Sequence, residues 1–132
     1  PCTELCLTGQ WCYTKGLKDY KLQRKAIAFF YRFVMADCKK IAIENPVGIM
    51  SSAFRKPDQV IHPFQFGHPE QKRTCLWLKG LPKLVETDNV YEYMMTLPWK
   101  ERTRILQLGK GHSKERSVTY KGIAEAMAKQ WG

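Results

Sequence analysis

Two reactive groups frame this chain: the thiol of Cys2, in the opening string PCTELCLTG, and the carboxyl of Glu44, which closes the apolar run Ile41-Ala42-Ile43 in IAIENP. A thiolate adds to electron-poor carbon, and a carboxyl at a strand end can give or take a proton. Taken singly, a cysteine reads as a small buried hydrophobe and such a glutamate as a solvated group. In open α/β sheets, however, reactive groups gather above the carboxyl ends of strands. If a strand also precedes Cys2, the two would face one cleft. An ordinary thiol is only a few per cent ionised at neutral pH, so the nucleophile asks for nearby positive charge or backbone donors. The acid asks for desolvation.

The other cysteines, Cys6, Cys12, Cys38 and Cys75, bring the count to an odd five with no CxxC pair, which points to reduced thiols in a cytosolic protein. Cys2 and Cys6 are four apart, but His62 and His68 supply no second close pair, so no metal is expected.

The elements that must position these groups follow from hydrophobic spacing. KLQRKAIAFFYRFVMA, residues 21–36, repeats apolar residues at helical intervals and turns greasy nearly all round, the mark of a helix pressed on a sheet. KKIAIENP then predicts a short buried parallel strand over 40–43, stopped by Asn45 and Pro46. A short helix is expected in IMSSAFRKPDQ, and strands around Val60–Phe66 and Thr74–Leu78. Residues 80–119 read as loops with one short helix near Trp99–Leu106, and VTYKGIAEAMAKQWG as an amphipathic closing helix. Trp77 and Trp99 are expected to be packing residues. A parallel strand needs neighbours, and the visible strands are too few for a doubly wound sheet. The expectation is therefore the carboxy-terminal part of an α/β domain whose first half lies upstream.

Charge points to a partner. Against 12 Asp and Glu stand 22 Lys and Arg, a net +10, which favours a polyanion such as nucleic acid. No run of apolar residues is long enough to span a membrane, and no signal peptide is visible, so a cytoplasmic location is expected.

Three strings, in order, carry a resemblance. Pro1-Cys2-Thr3-Glu4-Leu5-Cys6-Leu7-Thr8-Gly9, then Glu44-Asn45-Pro46 after a strand, then Phe66-Gly67-His68-Pro69-Glu70-Gln71-Lys72-Arg73-Thr74 running into CLWLKG resemble the nucleophile loop, the Glu-Asn-Val strand end and the Gln-x-Arg-x-Arg motif of the DNA cytosine-5 methyltransferases. The likeness covers roughly residues 1–80, with a fainter echo in TYKGIAEAMAKQ. The whole chain is similar to short phage and prophage members of that family, bacterial or phage-encoded and of the restriction-modification kind.

The resemblance implies a fold and a chemistry. The fold is a doubly wound, Rossmann-like methyltransferase sheet lacking its amino-terminal cofactor half. Residues 1–80 would be its catalytic part, 81–119 a short basic recognition segment and 120–132 a closing helix of the same domain. Cys2 would add to carbon 6 of a cytosine flipped out of DNA, turning the ring into an enamine that takes a methyl group at carbon 5. Glu44 would hold ring nitrogen 3, Asn45 would fix the carboxyl or bond the base edge, and Lys72 would bind phosphate or the base carbonyl. The methyl donor would be S-adenosylmethionine, for which the glycine-rich binding turn is absent from this sequence, so the piece should not methylate alone. Arg73, Thr74, Lys100, Arg102, Arg104, Lys110, Lys114 and Arg116 would contact nucleic acid, mostly through phosphates. Cys6, in the place of the family's serine, becomes a loop-packing residue. Thr3, Glu70 and Thr74 depart from the pattern, and an acidic Glu70 could repel phosphate. Two other readings share these residues: a DNA-binding module of the same fold without chemistry, and an enzyme attaching a different one-carbon group to a pyrimidine.

Overall fold

A computed structural model describes residues 2–109 and 111–132. Pro1 and Lys110, the latter an expected nucleic-acid contact, lie outside the described residues. The chain divides into two compact units: residues up to Val60 together with Thr74–Lys83, and Ile61–Arg73 together with Leu84–Gly132.

The first unit opens on a helical turn, α1 (Cys2–Leu5), and passes through a 3-10 turn into α2 (Gln10–Thr14) and the long α3 (Tyr20–Val34). Asp19 starts α3 by accepting the Lys21 amide at 2.8 Å, a cap worth about 1 kcal/mol. Ala26 and Phe30, one turn apart, are its buried face. After β1 (Ile41–Pro46) come α4 (Met50–Ala53), β2 (Gln59–Ile61) and β3 (Thr74–Lys79). They form a mixed α/β unit around a three-stranded antiparallel sheet of order β1-β3-β2.

This corrects the parallel strand expected at 40–43. β1 runs antiparallel to β3, from Ile41 opposite Lys79 to Pro46 opposite Thr74. An apolar run reports burial, not direction, and here the strand covered on both faces is β3, whose residues Thr74–Trp77 are all buried. β1 lies at the sheet edge with Ala42 and Glu44 exposed. The described residues form no doubly wound sheet. β2 is shorter than the expected Val60–Phe66 strand: Pro63, lacking an amide donor, instead opens a 3-10 turn over Pro63–Gln65.

Trp77 sits in the core with Leu5, Phe30, Met50 and Cys75, meeting Phe30 edge to face at 5.2 Å and donating Nε1–H to the Arg55 carbonyl at 2.8 Å. Asp58 ties the loop before β2 to β3: its carboxylate takes both Arg55 guanidinium nitrogens, at 2.9 and 2.7 Å, and the Leu78 amide at 2.7 Å. At Gly80, φ of +63° and the nearby Lys39 carbonyl leave no room for a side chain, so β3 ends in a turn only glycine makes easily.

The second unit is helical: α5 (Tyr91–Thr96), α6 (Trp99–Arg102), α7 (Arg104–Gln107), α8 (Ser113–Ser117) and α9 (Lys121–Trp131). α9 is the closing helix, with Ile123 and Ala126 buried. The single helix expected near Trp99–Leu106 is broken at Thr103, whose hydroxyl donates to the Trp99 carbonyl at 2.6 Å. Trp99 itself is 60% exposed, which overturns its expected packing role, whereas Trp77 at 2% keeps it. None of the described helices is long and apolar enough to cross a membrane.

Candidate active site

The turn that carries Cys2 docks on the segment that follows Glu44 and Asn45. Leu7 N–H donates to the Val47 carbonyl at 3.0 Å, Ile49 N–H donates to the Leu5 carbonyl at 3.0 Å, and Cys6 and Gly48 form an antiparallel bridge between them. Gly48 makes this approach possible: a Cβ built on it would collide with the Leu5 carbonyl oxygen. Two strings some forty residues apart in sequence thus become neighbours in one unit. Leu5, 2% exposed, anchors the turn in the core beside Met50.

Side chains brace the same turn from behind. Glu4 accepts the Tyr13 hydroxyl and the Lys18 ammonium, the latter at 3.0 Å. The Tyr13 hydroxyl, first, and Lys18 hold the Glu4 carboxyl below the usual carboxylate range, and burial together with Glu4 pushes Tyr13 up to about 12. Gln10 Nε2 donates to the Cys6 carbonyl at 3.0 Å, and its own Oε1 accepts from Gln23 on α3 at 2.6 Å. Sequence reasoning missed Glu4, Tyr13, Lys18, Gln10 and Gln23, because they are spread over α1, α2, α3 and the bend before α3 and share no local period. Cys6 is half-buried, with its Sγ 3.2 Å from the Thr8 hydroxyl.

The reactive groups themselves are open to solvent. Cys2 and Glu44 are both exposed, so the desolvation expected for a carboxyl at a buried strand end is missing: β1 is an edge strand, and Glu44 points to its uncovered face. Asn45 is the buried one, at 4%, with its amide donating to the Pro46 carbonyl at 3.3 Å. A shallow apolar concavity of about 220 Å³, lined by Phe33, Ile43, Phe54 and Trp77 with Arg55 and Lys79 on its rim, contains neither Cys2 nor Glu44.

The third string divides between the units. Thr74 is buried at the start of β3, opposite Pro46, and so faces the packed interior rather than a phosphate. Lys72 and Arg73 belong to the second unit. There Lys72 donates to the Arg116 carbonyl at 2.9 Å and lies 5.7 Å over the Tyr120 ring. Glu70 is not a bare anion: it accepts from Arg104 and from the Tyr120 hydroxyl, each at 2.8 Å. Burial first, then Glu70, moves the Tyr120 hydroxyl well above the ordinary tyrosine range, and Glu70 strengthens the hold of Arg104 on its proton. His68 Nε2 accepts the Gly122 amide at 3.0 Å, pinning the start of α9.

The expected phosphate contacts are correspondingly uneven. Arg104 is paired with Glu70, and Arg102 rests on the Met95 sulfur at 2.9 Å with its Nε buried and unbonded among the described residues. Lys100, Lys114 and Arg116 are exposed.

No family model, curated protein or solved structure matches the chain.

Proposed function

We propose that this chain is the catalytic part of a DNA cytosine-5 methyltransferase-like enzyme, built around its small antiparallel sheet. One observation carries the reading: the Cys2 turn and the Glu44-Asn45-Pro46 strand end are bonded together through Leu5, Leu7, Val47 and Ile49, with Gly48 at the point of closest approach. Thiol addition with proton transfer to one ring needs these two backbone elements side by side, and the docking supplies that much.

The methyl donor supplies an electrophilic carbon to the activated ring. The apolar concavity on the first unit offers Arg55 and Lys79 but no carboxylate to take a ribose, so its lining does not fit that donor. The steps that belong to this chain are the addition and the proton movements. The Cys2 sulfur forms a bond to cytosine carbon 6, Glu44 protonates or hydrogen-bonds ring nitrogen 3, and the electron pair displaced from the carbon 5–carbon 6 double bond makes carbon 5 nucleophilic. Without a donor, carbon 5 takes a solvent proton, and loss of a carbon 5 hydrogen with departure of the thiolate restores the base. Lys72 and Arg73, with the exposed Lys100, Lys114 and Arg116, hold the DNA backbone.

Exchange of the cytosine carbon 5 hydrogen with deuterated solvent therefore tests the chemistry without the methyl donor. Wild-type chain incubated with single-stranded DNA is expected to incorporate deuterium, detected by mass spectrometry of released nucleosides, and Cys2→Ala is expected to incorporate none. Equal incorporation in both proteins, or none in wild type that binds the DNA, refutes the catalytic reading. The exposure of both Cys2 and Glu44 favours a second reading, a DNA-binding module of the same fold without chemistry. A further alternative, attachment of another one-carbon group to a pyrimidine, uses the same addition and the same first test.

A further inference from the structure

Positive charge is not where the recognition segment would put it. The first unit carries twelve Lys and Arg against five Asp and Glu, the second ten against seven. Within the first unit, α3 holds Lys21, Arg24, Lys25 and Arg32 and not one acidic residue. At about 100° per residue these four fall within an arc of roughly 100°. They lie on the side of the helix away from Ala26 and Phe30, and all four are exposed. Among the described residues none of them makes an ion pair or a side-chain hydrogen bond. By contrast, Arg104 and Arg102 of the second unit are already engaged.

We infer that the exposed cationic stripe of α3 is a tracking surface for a nucleic-acid phosphate backbone. Lys21 and Arg32 are about 16 Å apart along the helix at 1.5 Å per residue. That span matches about five phosphate steps of one strand at roughly 3.4 Å of axial rise each. Four cations held on a rigid helix, with no internal anion to displace, cost little to bring to phosphates, and counterion release supplies the binding free energy. An acidic protein would have to present its carboxylates at that same spacing, whereas a nucleic acid does so wherever it lies. The stripe is bordered by Leu22, Phe29 and Phe33, each more than 40% exposed, so an anionic lipid surface is the competing occupant that the experiment must separate.

The inference rests on the nucleic-acid partner of the proposed reading but not on its chemistry. Fluorescence anisotropy with a labelled 24-base-pair duplex of random sequence, from 50 to 300 mM salt, would compare wild type with a variant carrying K21A, R24A, K25A and R32A and with one carrying K100A, K114A and R116A. The α3 variant is expected to bind more than tenfold more weakly at 100 mM salt. Its log–log salt slope should fall by about two to four, near 0.9 for each lost contact. Alanine suits an exposed helix position, so the fold should persist; a second variant with glutamine at the four positions and circular dichroism of both check that. Affinity within twofold of wild type overturns the inference. So does a greater loss in the second-unit variant, or tighter binding of wild type to vesicles of equal phosphatidylserine and phosphatidylcholine than to DNA. A stripe-dependent salt slope without deuterium exchange at carbon 5 sinks the catalytic reading and leaves the α3 surface standing.

Discussion

Gly48→Ala is the sharpest probe of how the Cys2 turn is held. The added methyl group would meet the Leu5 carbonyl, a backbone atom that cannot rotate aside, so α1 must move away from the segment after β1. That movement breaks the Leu7–Val47 and Ile49–Leu5 hydrogen bonds, each worth about 1 kcal/mol. It also lifts Leu5 part-way from the core, bringing the expected cost to about 2–4 kcal/mol. For a chain of this size that is roughly a 6–15 °C drop in melting temperature. The matching control is Gly109→Ala, where nothing lies within 4 Å of a new Cβ and φ is not left-handed. Thermal unfolding by circular dichroism gives the cost, and hydrogen exchange at the Leu7 and Ile49 amides localises it. If Gly48→Ala melts within 2 °C of the Gly109→Ala protein with both amides still protected, the docking of the Cys2 turn described above is wrong.

Two further outcomes are expected. Asp58 is held below the usual carboxylate range, chiefly by the Arg55 guanidinium and also by the Leu78 amide. The folded state therefore binds fewer protons than the unfolded one, and the stabilisation is present above the unfolded value of about 3.9 and is lost as pH falls through the lower folded value. Asp58→Asn should cost about 1–2 kcal/mol at pH 7, allowing for its partial exposure, and the difference from wild type should shrink in melts run below about pH 4; a pH-independent difference refutes the assignment. Trp77→Ala should cost about 3–5 kcal/mol and Trp99→Ala under about 0.5 kcal/mol in urea titrations, because only the first loses a buried side chain; comparable costs would contradict their placement.

Periodicity along the chain determined the helices over Tyr20–Val34 and Lys121–Trp131, because a helix that buries one face must repeat its apolar residues at the matching interval, and short apolar runs bounded by turn residues marked the strands at Ile41 and Thr74. The order and spacing of PCTELC, IENP and FGHPEQKRT also named Cys2, Glu44 and Lys72 as the residues to place. Strand direction was not legible: IAIENP reads as buried, yet it is the middle position of β3 that is covered on both faces and the edge position of β1 that leaves Glu44 in solvent. Nor did composition show which cations are free, since Arg102 and Arg104 spend their hydrogen bonds on Met95 and Glu70 while those of α3 do not. Those outcomes depend on partners distant in sequence. Only tertiary structure decides them, because pairing, burial and charge neutralisation act between groups that the local pattern never sees together.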